Sequence, residues 1–373
     1  MKIGILTYES LYCNFTNYGT VLQAWALSKA IATLSDGYEP ILVDYCPDVM
    51  MDKNPLDPMK NMWDTDLESR KMCELSLPFI KINYDKIRNF YLQEIRLTNR
   101  GYTSKDIDNV INEEIFIFIC GSDSIWDVTE FGMDRAFFAD YSVMRRNSIA
   151  YAPSFQDSFF YYSQEQQDLF IKYLDNFAAV GIRDEEPLDF ICNYAHVEVK
   201  RVVDPTLLLK SSDYDDIIAP RQEKERYMLY YSRRYNKTME DFVDKIAIEN
   251  NLKVIEISLR YTNCKKHRMF YEAGIEEFLS LVKYAECVIT NSFHCMIFAM
   301  HFEKEFYVFT REHCNNKIYE LLLRLDLEDR LLKNGSEIVK RKIDYPSVKE
   351  HLEKERVESL EFLERHIKAI CKG

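Results

Sequence analysis

Short apolar runs recur along this chain, and polar residues follow each of them. Runs that are too short for helices and rich in β-branched or aromatic residues predict strands buried on both faces of a parallel sheet. They occupy residues 3–8, 40–45, 115–120, 148–152, 177–182, 227–231, 252–257, 287–290 and 306–310. Segments with a helical spacing of apolar residues separate these runs, so the pattern predicts βαβ units and an α/β fold.

The length of the chain indicates two such domains. Its 373 residues exceed the size at which a single hydrophobic core stops growing. We expect an N-terminal α/β domain over 1–205, with a helix- and loop-rich excursion at 47–104, and a C-terminal α/β domain over 206–373. The Ser347-x-x-Glu350 capping signature predicts a terminal amphipathic helix over 347–371, which we expect to brace the two domains.

Composition narrows the class of protein. The formal net charge of −13 argues against nucleic acid as a partner, because phosphate backbones are bound by basic surfaces. The ten cysteines lack the spacing of a disulfide framework and no signal peptide precedes the first strand, so we expect a cytoplasmic protein with reduced thiols. No metal is predicted, because Cys264-x-x-His267 has no second ligand pair at zinc spacing. The sequence contains no GxGxxG or Walker A loop and no apolar run of the roughly 20 residues that span a membrane.

The candidate chemistry lies where predicted strands end. His294 stands where the turn after strand 287–290 enters a helix, whereas Asp123 and Arg183 follow strands 115–120 and 177–182. In parallel α/β sheets, ligands bind outside the carboxyl ends of the strands. The pattern therefore predicts a site built from these strand ends.

Six motifs in a fixed order resemble the polysaccharide pyruvyl transferase family over nearly the whole chain. They are Asn17-Tyr18-Gly19-Thr20-Val21-Leu22-Gln23-Ala24, Gly121-Ser122-Asp123-x-x-Trp126, Tyr151-Ala152-Pro153-Ser154-Phe155, Ile182-Arg183-Asp184, Asp204-Pro205-Thr206-Leu207-Leu208 and Ser292-Phe293-His294. The resemblance implies two Rossmann-like domains that face each other across a cleft, as in GT-B glycosyltransferases. It places the acceptor on the N-terminal domain and the donor on the C-terminal domain.

The resemblance also implies a reaction. In this family phosphoenolpyruvate is the donor, and a sugar of a surface glycan, such as an exopolysaccharide or capsule, receives its pyruvyl group as a cyclic ketal. No cofactor is implied. The glycan acceptor is often lipid-linked, which implies a cytoplasmic enzyme in peripheral contact with the inner face of the membrane. Because the donor carries both a carboxylate and a phosphate, this chemistry requires cationic side chains and a general acid.

The strand-end residues take their expected roles from this resemblance. His294 is the candidate general acid or a ligand of the donor phosphate. Arg183 would bind the anionic donor, unless it forms an ion pair with Asp184 or Glu185. Asp123 would accept a proton from the attacking hydroxyl or hold the acceptor sugar, unless it caps the next helix.

Further residues are expected to contact substrate in the cleft. Ser122 and Asn17 are polar candidates, although Asn17 also has the position of a helix cap. Trp126, Tyr151 and Phe155 would stack on sugar faces, unless they pack in the core.

The chain departs from the family at three positions. Some enzymes of the family carry an arginine where this chain has Ser292, the glycine that often follows the histidine is Cys295, and the glycine usual after Ala-Pro-Ser-Phe is Gln156. The missing guanidinium must be replaced if an anionic donor binds beside His294. We expect the replacement among Arg233, Arg234, Arg311 and Lys317.

Two other functions remain as alternatives. One is a GT-B glycosyltransferase that uses a nucleotide sugar, although the glycine-poor loops and the lack of an acidic ribose ligand after His294 disfavour it. The other is an inactive glycan-binding relative that kept the cleft, which the departures at Ser292, Cys295 and Gln156 would explain.

Overall fold

The structure is a computed structural model that describes residues 1–8, 10–12, 17–54, 56–57, 67–156, 158–233, 236–258, 265–310, 315–332 and 341–372. Its strands are β1 (Lys2–Leu6), β2 (Glu39–Leu42), β3 (Ile117–Cys120), β4 (Ser148–Tyr151), β5 (Phe177–Ile182), β6 (Glu198–Arg201), β7 (Tyr227–Tyr231), β8 (Lys253–Ile257), β9 (Arg268–Met269), β10 (Cys287–Thr290), β11 (Glu305–Phe309) and β12 (Leu331–Leu332).

The α-helices lie between these strands, as the apolar spacing predicts. They are α1 (Tyr18–Leu34), α2 (Leu67–Glu94), α3 (Val128–Phe131), α4 (Gln164–Leu174), α5 (Leu188–Tyr194), α6 (Lys237–Asn250), α7 (Ile275–Lys283), α8 (Phe293–His301), α9 (Asn315–Arg324) and α10 (Tyr345–Ile370). Among the described helices, none combines the length and the apolar character that crossing a membrane requires.

The chain forms two compact α/β units, which confirms the predicted fold class. The first unit comprises Met1–Asp52, Tyr91–Leu209 and Glu350–Gly373. Its six-stranded sheet has the order β2-β1-β3-β4-β5-β6, and every described pairing in it is parallel. The strand order reverses between β1 and β3, which makes their carboxyl ends the topological switch point of this sheet.

The second unit comprises Lys53–Phe90 and Lys210–Lys349. Its sheet has the order β12-β11-β10-β7-β8-β9, again with parallel pairings throughout the described strands. Here the order reverses between β7 and β10. The residues after Tyr231 and Thr290 therefore lie at the switch point of the second sheet.

The helical excursion is divided between the units, unlike the predicted boundaries. Most of α2 belongs to the second unit, where Asn83 donates through Nδ2 to the carbonyl of Ala273 and Lys86 pairs with Glu277 at 2.6 Å. The ring of Phe79 also lies 5.2 Å from that of Tyr271. These contacts fix α2 to the segment before α7 and α7 itself.

The terminal helix is observed as α10, and from Glu350 onward it belongs to the first unit, whereas the prediction placed it in the second domain. Its Ser359 hydroxyl accepts a hydrogen bond from Val203 N at 3.1 Å. Arg365 pairs with both oxygens of Glu198 at 2.6 Å. The predicted bracing role stays a prediction.

The three strands that the apolar pattern missed are all at sheet edges. β6, β9 and β12 are short and two of them are rich in charge, as edge strands often are. An edge strand needs no continuous apolar run, because only one of its sides pairs with a neighbour.

Candidate functional site

The strand ends at the first switch point are tied together by Gln23 of α1. Its amide nitrogen donates to Thr7 Oγ1 at 2.8 Å, and Thr7 Oγ1 donates to the carbonyl of Ser122 at 2.9 Å. The Ser122 N–H donates to Gln23 Oε1 at 3.3 Å. The Gly-Ser-Asp motif after β3 is thus held against the residues that follow β1.

Gly121 is required by a close approach of two strand ends. Its φ of +138° is unfavourable for other residues, and a Cβ there would lie 1.9 Å from the carbonyl oxygen of Tyr151. Asp123, two residues after Gly121, has a φ of 67°. This backbone path directs Asp123 toward the residues after β5.

Arg183 lies in a buried cluster of carboxylates, and only 4% of its side chain is exposed. It contacts Asp123 at 3.4 Å and Asp184 at 3.8 Å and is hydrogen-bonded to Asp204. Burial alone would lower the pKa of Arg183, but Asp204, Asp123 and Asp184 raise it above its ordinary value. Arg183 also donates to Ser122 Oγ at 3.2 Å.

This environment favours the ion-pair alternative for Arg183 over a contact with an anionic donor. Three carboxylates already surround its single positive charge. The predicted pair with Asp184 is present, but it is buried and not on the surface. The cluster joins the segments that follow β3, β5 and β6, because Arg183 contacts both Asp123 and Asp204. Asp204 in turn accepts from Thr206 N and Thr206 Oγ1 at 2.9 and 2.6 Å.

The predicted aromatic contacts with a sugar are corrected by the structure. Trp126 is fully buried, its indole N–H donates to the carbonyl of Phe137 at 3.1 Å, and its ring stacks on Phe138 at 5.7 Å. Tyr151 and Phe155 are equally buried. All three side chains belong to the buried core of the first unit, which is the alternative considered for them.

Asn17 and Asp123 were both considered as possible helix caps, and only Asn17 has this role. The side chain of Asn17 caps α1 by accepting from Gly19 N at 3.0 Å, which is the structural alternative considered for it. Asp123 does not have the capping role, because Asp127 caps α3 by accepting from Thr129 N at 2.9 Å.

Glu130 on α3 was not predicted as a site residue. Its Oε1 accepts from the Tyr8 hydroxyl at 2.7 Å, and its Oε2 accepts from Ser124 Oγ at 3.3 Å. Burial raises the pKa of Glu130 to about 7, and the charges of Asp127 and Asp123 act in the same direction. In the sequence, Asp127-x-x-Glu130 has the form of a helix capping box. That pattern gives no sign that Glu130 accepts hydrogen bonds from Tyr8 and Ser124.

Gln156 supplies a further contact to this carboxylate. Its Nε2 donates to Asp127 Oδ2 at 3.0 Å and to Glu130 Oε2 at 3.3 Å. The φ of Gln156 is 52°, a left-handed conformation that favours glycine. The glycine usual in the family would fit the same backbone without providing the amide.

The second switch point is built around Asn291. Its Oδ1 accepts from the backbone N–H of Arg233 at 2.8 Å, and its Nδ2 donates to Ser232 Oγ at 3.3 Å. Thr290 Oγ1 donates to the carbonyl of Tyr231 at 2.8 Å. The ends of β7 and β10 are thereby joined, which brings the predicted residue Arg233 beside the start of α8.

His294 lies in the first turn of α8 and is 7% exposed. Ser292 caps this helix, because its Oγ accepts from Cys295 N at 3.4 Å. The ammonium of Lys317 lies 5.4 Å from the centre of the Phe293 ring. The structure therefore places Lys317 beside Phe293, the residue before His294, whereas Arg234 and Arg311 lie outside the described residues.

Cys264 of the weak metal signature also lies outside the described residues. Its partner in that pattern, His267, is held between two carboxylates. Nδ1 of His267 lies 2.6 Å from Glu256 Oε2, and Nε2 lies 3.1 Å from Asp244 Oδ1. These two contacts connect His267 to β8 and α6 of the second unit, so the residue has a structural role there.

Comparisons with known proteins agree on the fold. A family model described as polysaccharide pyruvyl transferase matches residues 17–313. Among solved structures, the chain is similar to the proposed UDP-N-acetylglucosamine 2-epimerase of Listeria monocytogenes (10% identity, 99% of this chain, 91% of that chain, TM-score 0.52). It is also similar to S. aureus MnaA solved with UDP (14% identity, 96% of this chain, 90% of that chain, TM-score 0.51). At these identities the likeness concerns the fold alone, and no curated protein matches the sequence.

Proposed function

The chain belongs to the polysaccharide pyruvyl transferase family, and from this premise we propose that it transfers the pyruvyl group of phosphoenolpyruvate to a surface-glycan precursor. The product would be a cyclic pyruvate ketal on two hydroxyls of one sugar. The observation that carries the proposal is the position of His294, in the first turn of α8 at the switch point of the second sheet.

The start of α8 has the properties that an anionic donor needs. The first backbone N–H groups of a helix lack partners within it, and the helix dipole favours negative charge at this end. Lys317 adds a positive charge beside Phe293. We propose that Lys317 replaces the arginine that some relatives have at Ser292.

The reaction balances without a cofactor. One sugar hydroxyl adds to C2 of the donor while C3 gains a proton and becomes a methyl group. The bond between C2 and the phosphate oxygen then breaks, the second hydroxyl bonds to C2 in its place, and inorganic phosphate leaves with the second proton. His294 would deliver the proton to C3 or bind the leaving phosphate, since both steps require a positioned donor.

A direct assay tests this function. The protein is incubated with phosphoenolpyruvate and a panel of lipid-linked oligosaccharides, and phosphate release is followed together with the mass of the glycan. We expect a mass gain of one pyruvate less one water. A parallel arm with UDP-sugars tests the glycosyltransferase alternative, and turnover only in that arm would overturn the proposal. No product in either arm would support the inactive relative.

His294→Ala supplies the matched variant. We expect loss of turnover with a nearly unchanged melting temperature, because under the proposal the His294 ring transfers a proton or binds phosphate and contributes little to the stability of the fold. A large fall in the melting temperature would instead assign His294 to the core of the second unit.

A further inference from the structure

An open pocket lies at the edge of the second sheet that is opposite to His294. Its volume of about 400 Å³ is within the range of small-molecule sites. Glu286 and Lys304 in its wall stand directly before β10 and β11, whereas His294 follows β10. Because the strands are parallel, the pocket and the proposed donor site lie at opposite edges of the same sheet.

The backbone of the pocket wall is anchored to neighbouring elements. The N–H of Lys304 donates to the carbonyl of Ala299 at 2.9 Å, and its carbonyl accepts from the Tyr345 hydroxyl. The N–H of Glu286 donates to the carbonyl of Tyr227, also at 2.9 Å. Both segments that enter the sheet here are therefore held in place by hydrogen bonds.

The carboxylates of the pocket wall each have a cation outside the wall. The pairs are Glu286–Arg226, Glu303–Lys349 and Glu305–Arg330. Their negative charges are therefore matched without the cations that line the pocket.

Three cations line the pocket, and two of them have no carboxylate of their own. Lys283 pairs with Asp215 at 2.6 Å. Arg221 donates through Nε to the carbonyl of Glu223 at 2.6 Å, which is a neutral group. Within the described part of the chain, neither the Arg221 guanidinium nor the Lys304 ammonium forms an ion pair. The pocket therefore has an excess of positive charge.

The environment of Lys304 is unfavourable for its own charge. The side chain is half-buried, and this burial lowers the pKa of Lys304. Lys283 and Arg221 act in the same direction, whereas Glu286 and Glu303 oppose them. An anion bound beside the ammonium would stabilise its charged form.

We propose that this pocket binds the phosphate group of a small molecule, with Lys304 and Arg221 as its cationic ligands. A phosphate group has a charge of about −1.5 to −2 near pH 7, which matches two cations, and lysine and arginine both bind phosphate. The ring of Tyr284 also lines the pocket, 5.7 Å from the Arg221 guanidinium, and offers an apolar surface to the rest of the molecule. The inference is independent of the proposed pyruvyl transfer.

Competitive labelling of the whole protein tests the site. Acetic anhydride acetylates unprotonated lysines, and peptide mass spectrometry gives the rate at each one. Inorganic phosphate is the probe, and sodium chloride at the same ionic strength controls for screening. At about ten times its Kd, phosphate should slow the labelling of Lys304 roughly tenfold, because about one site in ten is then empty. Lys245, which is exposed on α6, should be labelled at the same rate throughout.

Lys304→Met supplies the variant, and Lys245→Met is the matched control. The measurement is the labelling of Lys283, which lines the same pocket. In Lys304→Met, the phosphate concentration that protects Lys283 should rise roughly 10–100-fold, as expected for a lost hydrogen bond to a charged group. In Lys245→Met it should not change.

Two results would overturn the inference. One is an equal effect of phosphate and chloride on Lys304 in the wild-type protein, a measurement that needs no variant to fold. The other is loss of the protection of Lys304 in Lys317→Met, which would assign the effect to the proposed donor site. Because no turnover is measured, the outcome is separate from that of the proposed function.

Discussion

The guanidinium of Arg183 links several segments of the first unit at its switch point. It reaches carboxylates that follow β3, β5 and β6, and each of those segments belongs to a different motif of the family. A buried cation in such a cluster is stabilised by its partners, and the partners depend on it in turn. Arg183 therefore contributes to the stability of the fold, whether or not it also takes part in a reaction.

Arg183→Met separates the structural and ligand-binding interpretations. We expect it to lower the free energy of unfolding by about 3–5 kcal/mol, because it leaves buried carboxylates without a cation. Urea denaturation measures the change. Arg145→Met, which removes an exposed arginine paired with Asp140, is the control and should leave the stability nearly unchanged. An Arg183 variant with wild-type stability and a raised KM for phosphoenolpyruvate would instead assign the residue to the donor.

Gln156 and Glu130 show why part of the site is hidden in a sequence. The φ of Gln156 and its amide contacts with Asp127 and Glu130 arise only when the ends of β3 and β4 are placed side by side. Nothing in the linear order of these residues indicates that proximity. The position of His294, by contrast, can be predicted from the residues next to it, because a strand, a polar turn and an apolar helix are consecutive in the chain.

At the scale of elements, a continuous apolar run is a good predictor of a strand. It does not indicate which part of the molecule a helix packs against. β1, β5, β7 and β10 each follow from a continuous apolar run, since they are buried on both faces. The membership of α2 in the second unit depends on Asn83 and Phe79 contacting residues that are nearly two hundred positions away. The sequence predicts a helix- and loop-rich excursion here, but it does not indicate which unit that helix packs against.

In the proposed function, the donor binds at the β10–α8 connection. Its serine cap, helix N-terminus and neighbouring lysine occupy the place of the arginine-containing motif of some relatives. Under the proposal, the positive charge beside the donor comes from a different helix, α9, which carries Lys317.

Lys317→Met tests this arrangement. We expect KM for phosphoenolpyruvate to rise roughly 10–100-fold, as the loss of a charged hydrogen bond of about 1.5–3 kcal/mol implies, with a smaller change in kcat. Lys317→Arg should retain part of the affinity, and Lys245→Met on the exposed face of α6 should have no effect. Steady-state kinetics at varied donor concentration measures the difference. An unchanged KM in Lys317→Met would remove Lys317 from the donor site and leave the arginine candidates.

At the scale of the whole molecule, each unit contains a titratable group whose pKa is raised in the folded state. In the first unit it is Glu130, raised from 4.5 to about 7. In the second it is His267, for which burial would lower the pKa but Glu256 and Asp244 raise it above its ordinary 6.5. A group with a raised pKa in the folded state stabilises the fold at low pH, and this contribution is lost as pH rises through the folded pKa.

The two units should therefore lose stability over different ranges of pH. For Glu130 the loss begins above about 4.5 and is complete above about 7, whereas for His267 it begins above about 6.5 and continues beyond. Hydrogen exchange, expressed as protection relative to the intrinsic rate at each pH, measures each unit separately through its own peptides. Between pH 6 and pH 8, the peptides that contain β7 and β8 should lose protection in the wild-type protein. His267→Gln should flatten that response and leave the peptides of β3 and β4 unchanged. Between about pH 4.5 and pH 7 the peptides of β3 and β4 should lose protection in the wild-type protein, and Glu130→Gln should flatten only that response. If one variant flattened the response of both units, their stabilities would be coupled and the separate assignment of the two groups would be wrong.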